Sequence, residues 1–148
     1  MLTTPDTPWS LDTNILVYAM ATDAPPLKRQ VALELLARLF RHPQGALVGQ
    51  VLSEYLSVVL RKKLASQEFA LETVQIWSQA ARVLDASAPA YPQAWTLAAT
   101  HKYQVWDALI IAICAEHGVK TLYSEEAGSL KRPLGVQVIN PFAELALG

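Results

Sequence analysis

The 148-residue sequence predicts an α/β fold, with a central, mostly parallel sheet covered by helices on both faces. Three observations point there. Short apolar runs of strand length alternate with longer stretches of helical periodicity, which implies parallel pairing through right-handed crossovers. Apolar residues make up 52% of the chain, enough for one core without covalent staples. The single cysteine, Cys114, excludes an internal disulfide framework and a cysteine-rich zinc site. Length and the absence of repeats or polar linkers favour one domain over 1–148, with a core of about 8–143.

Taken in order, Trp9 to Leu11 reads as a strand ending at Asp12, and a helix follows through Ile15, Leu16 and Ala19. Pro25 and Pro26 lie in a loop and suit the opening of the next helix. There Ala32, Leu35, Leu36, Leu39 and Phe40 form one apolar stripe, and Pro43 and Gly45 end it. Ala46 to Val48 reads as the second strand. Leu52, Tyr55, Leu56, Val59 and Leu60 repeat the helical spacing. Ser66 suits the cap of a further helix carrying Ala70, Val74 and Trp77. Val83 and Leu84 form a short strand before Asp85. Pro89 and Pro92 precede a helix through Trp95 and Ala98. Leu109 to Cys114 is apolar on nearly every side, so that helix is expected to be deeply buried until Gly118 stops it. Thr121 to Tyr123 and Val136 to Ile139 complete the strands.

A net charge of −1 gives no global attraction to nucleic acid or to a membrane. The charge is uneven, however. From Lys28 to Lys63 there are seven basic residues and two acidic ones, Glu34 and Glu54. This is either an anion-facing surface or a solvated helix face. The first ten residues show no secretory signal, and the longest apolar run, Ala108 to Ala115, is too short to span a bilayer. Together with one cysteine, these features lead us to expect a cytoplasmic protein. The low charged fraction of 17% leaves apolar surface for a partner subunit.

In a parallel sheet with helices on both faces, ligands bind at the carboxyl ends of strands. Asp12 ends the first strand, Asp107 opens the buried helix, and Glu125 and Glu126 follow the strand at Thr121. Glu54 lies just after the second strand, on a polar stripe with Gln50, Ser57 and Arg61. Four distant segments are thus expected to bring carboxylates into one crevice. Like charges so gathered repel, and a hard divalent cation removes the conflict. Mg²⁺ or Mn²⁺ there would polarise a phosphoryl oxygen and acidify water, which implies phosphodiester hydrolysis. Each acid also has a plainer use: Asp12 as a helix cap, Asp107 near a positive helix end, the glutamates as solvated charges. His42, His101 and His117 share no metal-ligand spacing. Trp106 is assigned to core packing ahead of base stacking, and Cys114 to an inert core position. An alternative is a phosphoacceptor domain using Asp85, although Asn140-Pro141-Phe142 after the last strand supplies no lysine.

The motifs resemble a known family. SLDTNILVYA at 10–19, QVLSEYLSVVLRK at 50–62, VWDALIIAICAEHG at 105–118 and TLYSEEAG at 121–128 are similar to the successive motifs of PIN domains, in particular the VapC-like toxin ribonucleases. GVQVINPF at 135–142 resembles the family's end. The resemblance implies an α/β/α fold with a parallel sheet of about five strands, and a Mg²⁺- or Mn²⁺-dependent endoribonuclease. It also implies a homodimer inhibited by a cognate antitoxin protein, with promoter DNA bound only through that antitoxin. Carried over by position, Asp12 and Asp107 hold the metal directly, and Glu54 is either a ligand through water or the group that orients the attacking water. Glu126 takes the place of a usual aspartate. Asn14 and Ser124 are supporting groups, and Arg61, Lys62 and Lys63 are phosphate contacts. The same resemblance admits a housekeeping ribonuclease or an inactive binding relative.

Overall fold

The computed structural model describes residues 3–126 and 128–145. Five strands form one sheet: β1 (Trp9–Leu11), β2 (Gly45–Val48), β3 (Arg82–Leu84), β4 (Thr121–Tyr123) and β5 (Gln137–Ile139). Their order is β3-β2-β1-β4-β5, and every pairing is parallel. The helices are α1 (Thr13–Met20), α2 (Pro26–Arg41), α3 (Gly49–Lys62), α4 (Gln67–Ala80), α5 (Ala90–His101) and α6 (Val105–Glu116). Strands β1, β2 and β4 are buried at every position, so they read as apolar runs rather than alternations. The edge strands β3 and β5 are more exposed.

The strand order fixes the layers. From β1 to β2 to β3 the chain steps outward in one direction, and right-handed crossovers place α1 to α4 on one face. From β3 it returns past β2 and β1 to β4, which places α5 and α6 on the opposite face. Adjacent strands β1 and β4 therefore send their chains to opposite sides. A crevice opens between their carboxyl ends, as it does at any such reversal.

Local chemistry explains most boundaries. Asp12 caps α1 by accepting from the Thr13 N–H at 2.7 Å. Pro26 opens α2, where its missing N–H costs no hydrogen bond. Ser66 Oγ accepts from the Phe69 N–H at 3.1 Å and caps α4 as expected. Gly45 does not end α2, which stops at Arg41; it opens β2 instead. A Cβ there would lie 2.8 Å from the Leu39 carbonyl oxygen, so only glycine lets the strand pass this close to the helix. Pro92 falls inside the first turn of α5, where the helix does not use its N–H. The run from Ala108 to Cys114 is buried throughout, as its all-round apolarity predicts.

One expectation fails. Trp106 is not in the core but 64% exposed. It lies in the first turn of α6, and burial against the sheet begins only at Ala108. Cys114 is fully buried, and desolvation pushes its thiol up to about 12, which keeps it unreactive.

Candidate active site

At the carboxyl end of β1, the backbone N–H of Asp12 donates to the Tyr123 carbonyl of β4 at 2.9 Å. The junction between these strands thereby fixes the residue. Its two carboxylate oxygens have separate tasks: Oδ1 accepts from the Thr13 N–H, and Oδ2 accepts from Ser124 Oγ at 2.7 Å. Ser124 follows β4 and is 1% exposed, and its own N–H donates to Ile139 of β5 at 2.9 Å. Capping and site construction are thus the same geometry for Asp12, not rival readings.

Glu54 projects from α3 toward the same crevice. Gln50, one turn earlier, donates to its Oε1 at 2.6 Å, and Thr13 Oγ1 donates to its Oε2 at 2.8 Å. Gln50 also donates to the Trp106 carbonyl at 3.1 Å, which ties α3 to the first turn of α6. That turn presents Asp107. Asp12, Glu54, Asp107 and Glu126 all line one cleft of about 540 Å³, together with Thr13, Asn14, Gln104, Arg61 and Lys62. Lys63 takes the left-handed conformation that ends α3 and is not part of this wall.

Of the two adjacent glutamates, only Glu126 faces the other acids. Its carboxyl meets that of Asp107. Glu125 turns the other way and pairs with Lys28, while Tyr18 Oη donates to it at 2.7 Å. Burial pushes the Glu125 carboxyl up, but Lys28 and Tyr18 outweigh it and hold the group below the usual range. Asn14 supports this loop by accepting from the Glu125 N–H at 3.4 Å, a long contact. Asp85 is exposed at the end of β3 and lines none of this cleft, so the phosphoacceptor arrangement does not form around these acids.

The cleft is electrostatically unsettled without a counter-charge. Desolvation raises Asp12 above its ordinary value, against the lowering effect of Ser124 and the Thr13 N–H. Asp107 rises from 3.8 to about 7, first through desolvation and then through the charges of Asp12 and Glu126. Among the described residues, no three His, Cys, Asp or Glu side chains form a cage of their own for a metal ion. The donor set instead fits a small hard cation that takes one or two carboxylates and fills its remaining positions with water and phosphate oxygens.

Sequence reasoning passes over two residues here. Thr13 anchors both Asp12 and Glu54, and Gln104 lines the cleft at the start of α6. Gln50 was visible only as part of the polar stripe of α3, at a spacing of four from Glu54. If Ser124 positions Asp12, Ser124→Ala should cut activity about 10–100-fold, the usual scale for a group that orients a metal ligand. It should also move the acid limb of the pH–rate profile upward, because the hydroxyl favours the ionised carboxylate. A merely structural serine would leave that limb in place.

The family model described as PIN domain matches residues 10–132. No curated protein matches the chain. Among solved structures, a toxin–antitoxin complex from Klebsiella pneumoniae is similar at 20% identity, covering 89% of this chain and 96% of that one, with a TM-score of 0.65. The VapBC2 complex of Rickettsia felis, bound to a DNA fragment from its promoter, is similar at 21% identity over 89% and 97%, with a TM-score of 0.65. VapC20 of Mycobacterium tuberculosis, a toxin that cleaves the sarcin–ricin loop, is similar at 24% identity over 77% and 86%, with a TM-score of 0.63. At these identities the likeness is one of fold.

Proposed function

The chain belongs to the PIN domain family, and from that membership we propose that it is a Mg²⁺- or Mn²⁺-dependent endoribonuclease, the toxin of a type II toxin–antitoxin pair. The observation that carries the reading is the convergence of Asp12, Glu54, Asp107 and Glu126 on one cleft at the reversal point of the sheet.

In this mechanism Asp12 and Asp107 would hold the divalent cation. When bound, the cation supplies Lewis-acid polarisation of a phosphoryl oxygen and lowers the pKa of the attacking water. Ser124 and the Thr13 N–H aim the Asp12 oxygens and partly offset the burial that disfavours their ionised form. Glu54 is held by Gln50 and Thr13 in one orientation, and its remaining lone pairs align the attacking water and accept its proton. Glu126, longer than an aspartate, stands beside Asp107 and can receive a water at the edge of the cleft. Arg61 and Lys62 line the same cleft and bind flanking phosphates.

The partner is proposed to be a small antitoxin protein that covers this cleft, with promoter DNA reached only through it. Similarity to toxin–antitoxin complexes supports this. Exposed apolar side chains away from the cleft, Phe69 and Ile76 on α4 and Trp95 on α5, are available to a second copy in a homodimer. Among the described residues, no helix is long and apolar enough to cross a membrane. The cytoplasm is the proposed location.

The deciding experiment incubates the purified chain with structured and unstructured RNA in Mg²⁺, in Mn²⁺ or in EDTA. Internal cleavage in either metal and none in EDTA is expected. Intact RNA under all three conditions would overturn the ribonuclease assignment.

A further inference from the structure

The acid cleft does not end at the acids. Beyond it lies a cavity of about 180 Å³, which shares Asp12, Gln104, Asp107 and Glu126 as a common wall and adds Lys102. Gly128 and Val138 are shared in turn with a third cavity of about 300 Å³, walled by Lys131 and Arg132. The three spaces are neighbours, each sharing wall residues with the next. Arg61 and Lys62 line the first, Lys131 and Arg132 the third, and the acids only the first two.

The far end is a built surface. Tyr103 Oη accepts from the Leu130 N–H at 3.1 Å, and Ser129 Oγ donates to the His101 carbonyl at 3.3 Å. These bonds fasten the segment carrying Lys131 and Arg132 to the loop carrying Lys102. Gly128 makes the approach feasible: its φ is +69°, and a Cβ there would lie 2.2 Å from the Tyr103 ring. Lys102 is itself held in the left-handed region at φ 59°, an uncommon state for a side-chain-bearing residue. Among the described residues, Lys102, Lys131 and Arg132 take part in no ion pair, so their charges remain available.

We propose that single-stranded RNA runs across these neighbouring cavities, with Lys102, Lys131 and Arg132 holding backbone phosphates on the side of the cut opposite Arg61 and Lys62. The inference rests on the ribonuclease reading of the acid cleft and adds the direction in which substrate leaves it. A strand with regularly spaced phosphates matches a track whose cations flank its acids. The charge profile of the sequence hides this end, because residues after Lys63 carry more acids than bases.

The test compares the wild type with a Lys102→Gln, Lys131→Gln, Arg132→Gln triple variant. Roughly 12-nucleotide and roughly 4-nucleotide oligoribonucleotides serve as probes, both centred on a mapped cleavage position. Binding is measured with each protein also carrying Asp107→Asn to prevent turnover. Wild type is expected to prefer the longer probe, and the triple variant to lose that preference. The slope of log affinity against log salt should become shallower by about 2, near 0.7 for each phosphate contact removed from a single strand. The Lys131→Gln, Arg132→Gln double variant should lose about two-thirds of that slope. An unchanged length preference and salt slope in the triple variant would overturn the path across these cavities while leaving cleavage itself intact. A wild type that cuts no RNA would instead remove the ribonuclease reading.

Discussion

Asp107→Asn is expected to reduce RNA cleavage by ~10³-fold or more while leaving the fold in place. The substitution keeps the size of the side chain and removes one negative charge from the cation's seat. Asp107 lies in the exposed first turn of α6, ahead of the buried run, so the core does not depend on it. Asp12→Ala should be as damaging to activity, but it also removes the α1 cap and leaves Ser124 without its acceptor. The asparagine variant is therefore the cleaner measurement. Initial rates on one RNA at saturating Mg²⁺, paired with circular dichroism, suffice. Wild-type rates in Asp107→Asn would exclude this acid from the mechanism.

The second large effect has the opposite sign. Without metal, the same variant is expected to be more stable than the wild type at high pH. Asp107 titrates near 3.8 in an unfolded chain and near 7 in the folded one. Between those values the folded protein holds a proton that the unfolded chain has released, so stability falls as pH rises through this window. Above it, the folded state carries the full cost of a desolvated carboxylate beside Asp12 and Glu126. Allowing for solvent screening at a partly exposed group, asparagine should recover about 1–2 kcal/mol at pH 8 and nothing near pH 4. For a chain of this size that amounts to roughly 2–8 °C in melting temperature. Mg²⁺ should reverse the ranking, since a cation at 100 times its dissociation constant adds about 2.7 kcal/mol to a wild type that binds it. Melting curves in EDTA and in Mg²⁺ across this pH range read both effects. A variant that melts below wild type in EDTA at pH 8 would mean that the acids do not repel one another.

These effects arise where α/β geometry is most legible in the sequence. The stripes of α2 and α3 and the apolar run of α6 locate the helices, and the strand ends between them locate Asp12, Glu54 and Asp107. Legibility fails where a contact comes from elsewhere in the chain. Glu125 and Glu126 are neighbours in a loop without periodicity. Lys28 and Tyr18, about a hundred residues earlier, decide which of them turns toward Asp107. Trp106 resembles the start of an apolar helix, but its place in the first turn lies beyond the edge of the sheet. Lys131 and Arg132 are diluted by nearby acids, and only the anchoring of Leu130 to Tyr103 shows that they stand next to the cavity that Lys102 lines.

The hydrogen bond between Ser124 and Asp12 spans 112 positions of the chain. On the ribosome, Asp12 is therefore made well before Ser124. Until β4 slots in beside β1, the first acid has neither its serine partner nor the neighbouring Glu126. A chain cut short before β4 would therefore leave this carboxylate unaligned, whatever else of the sheet had formed.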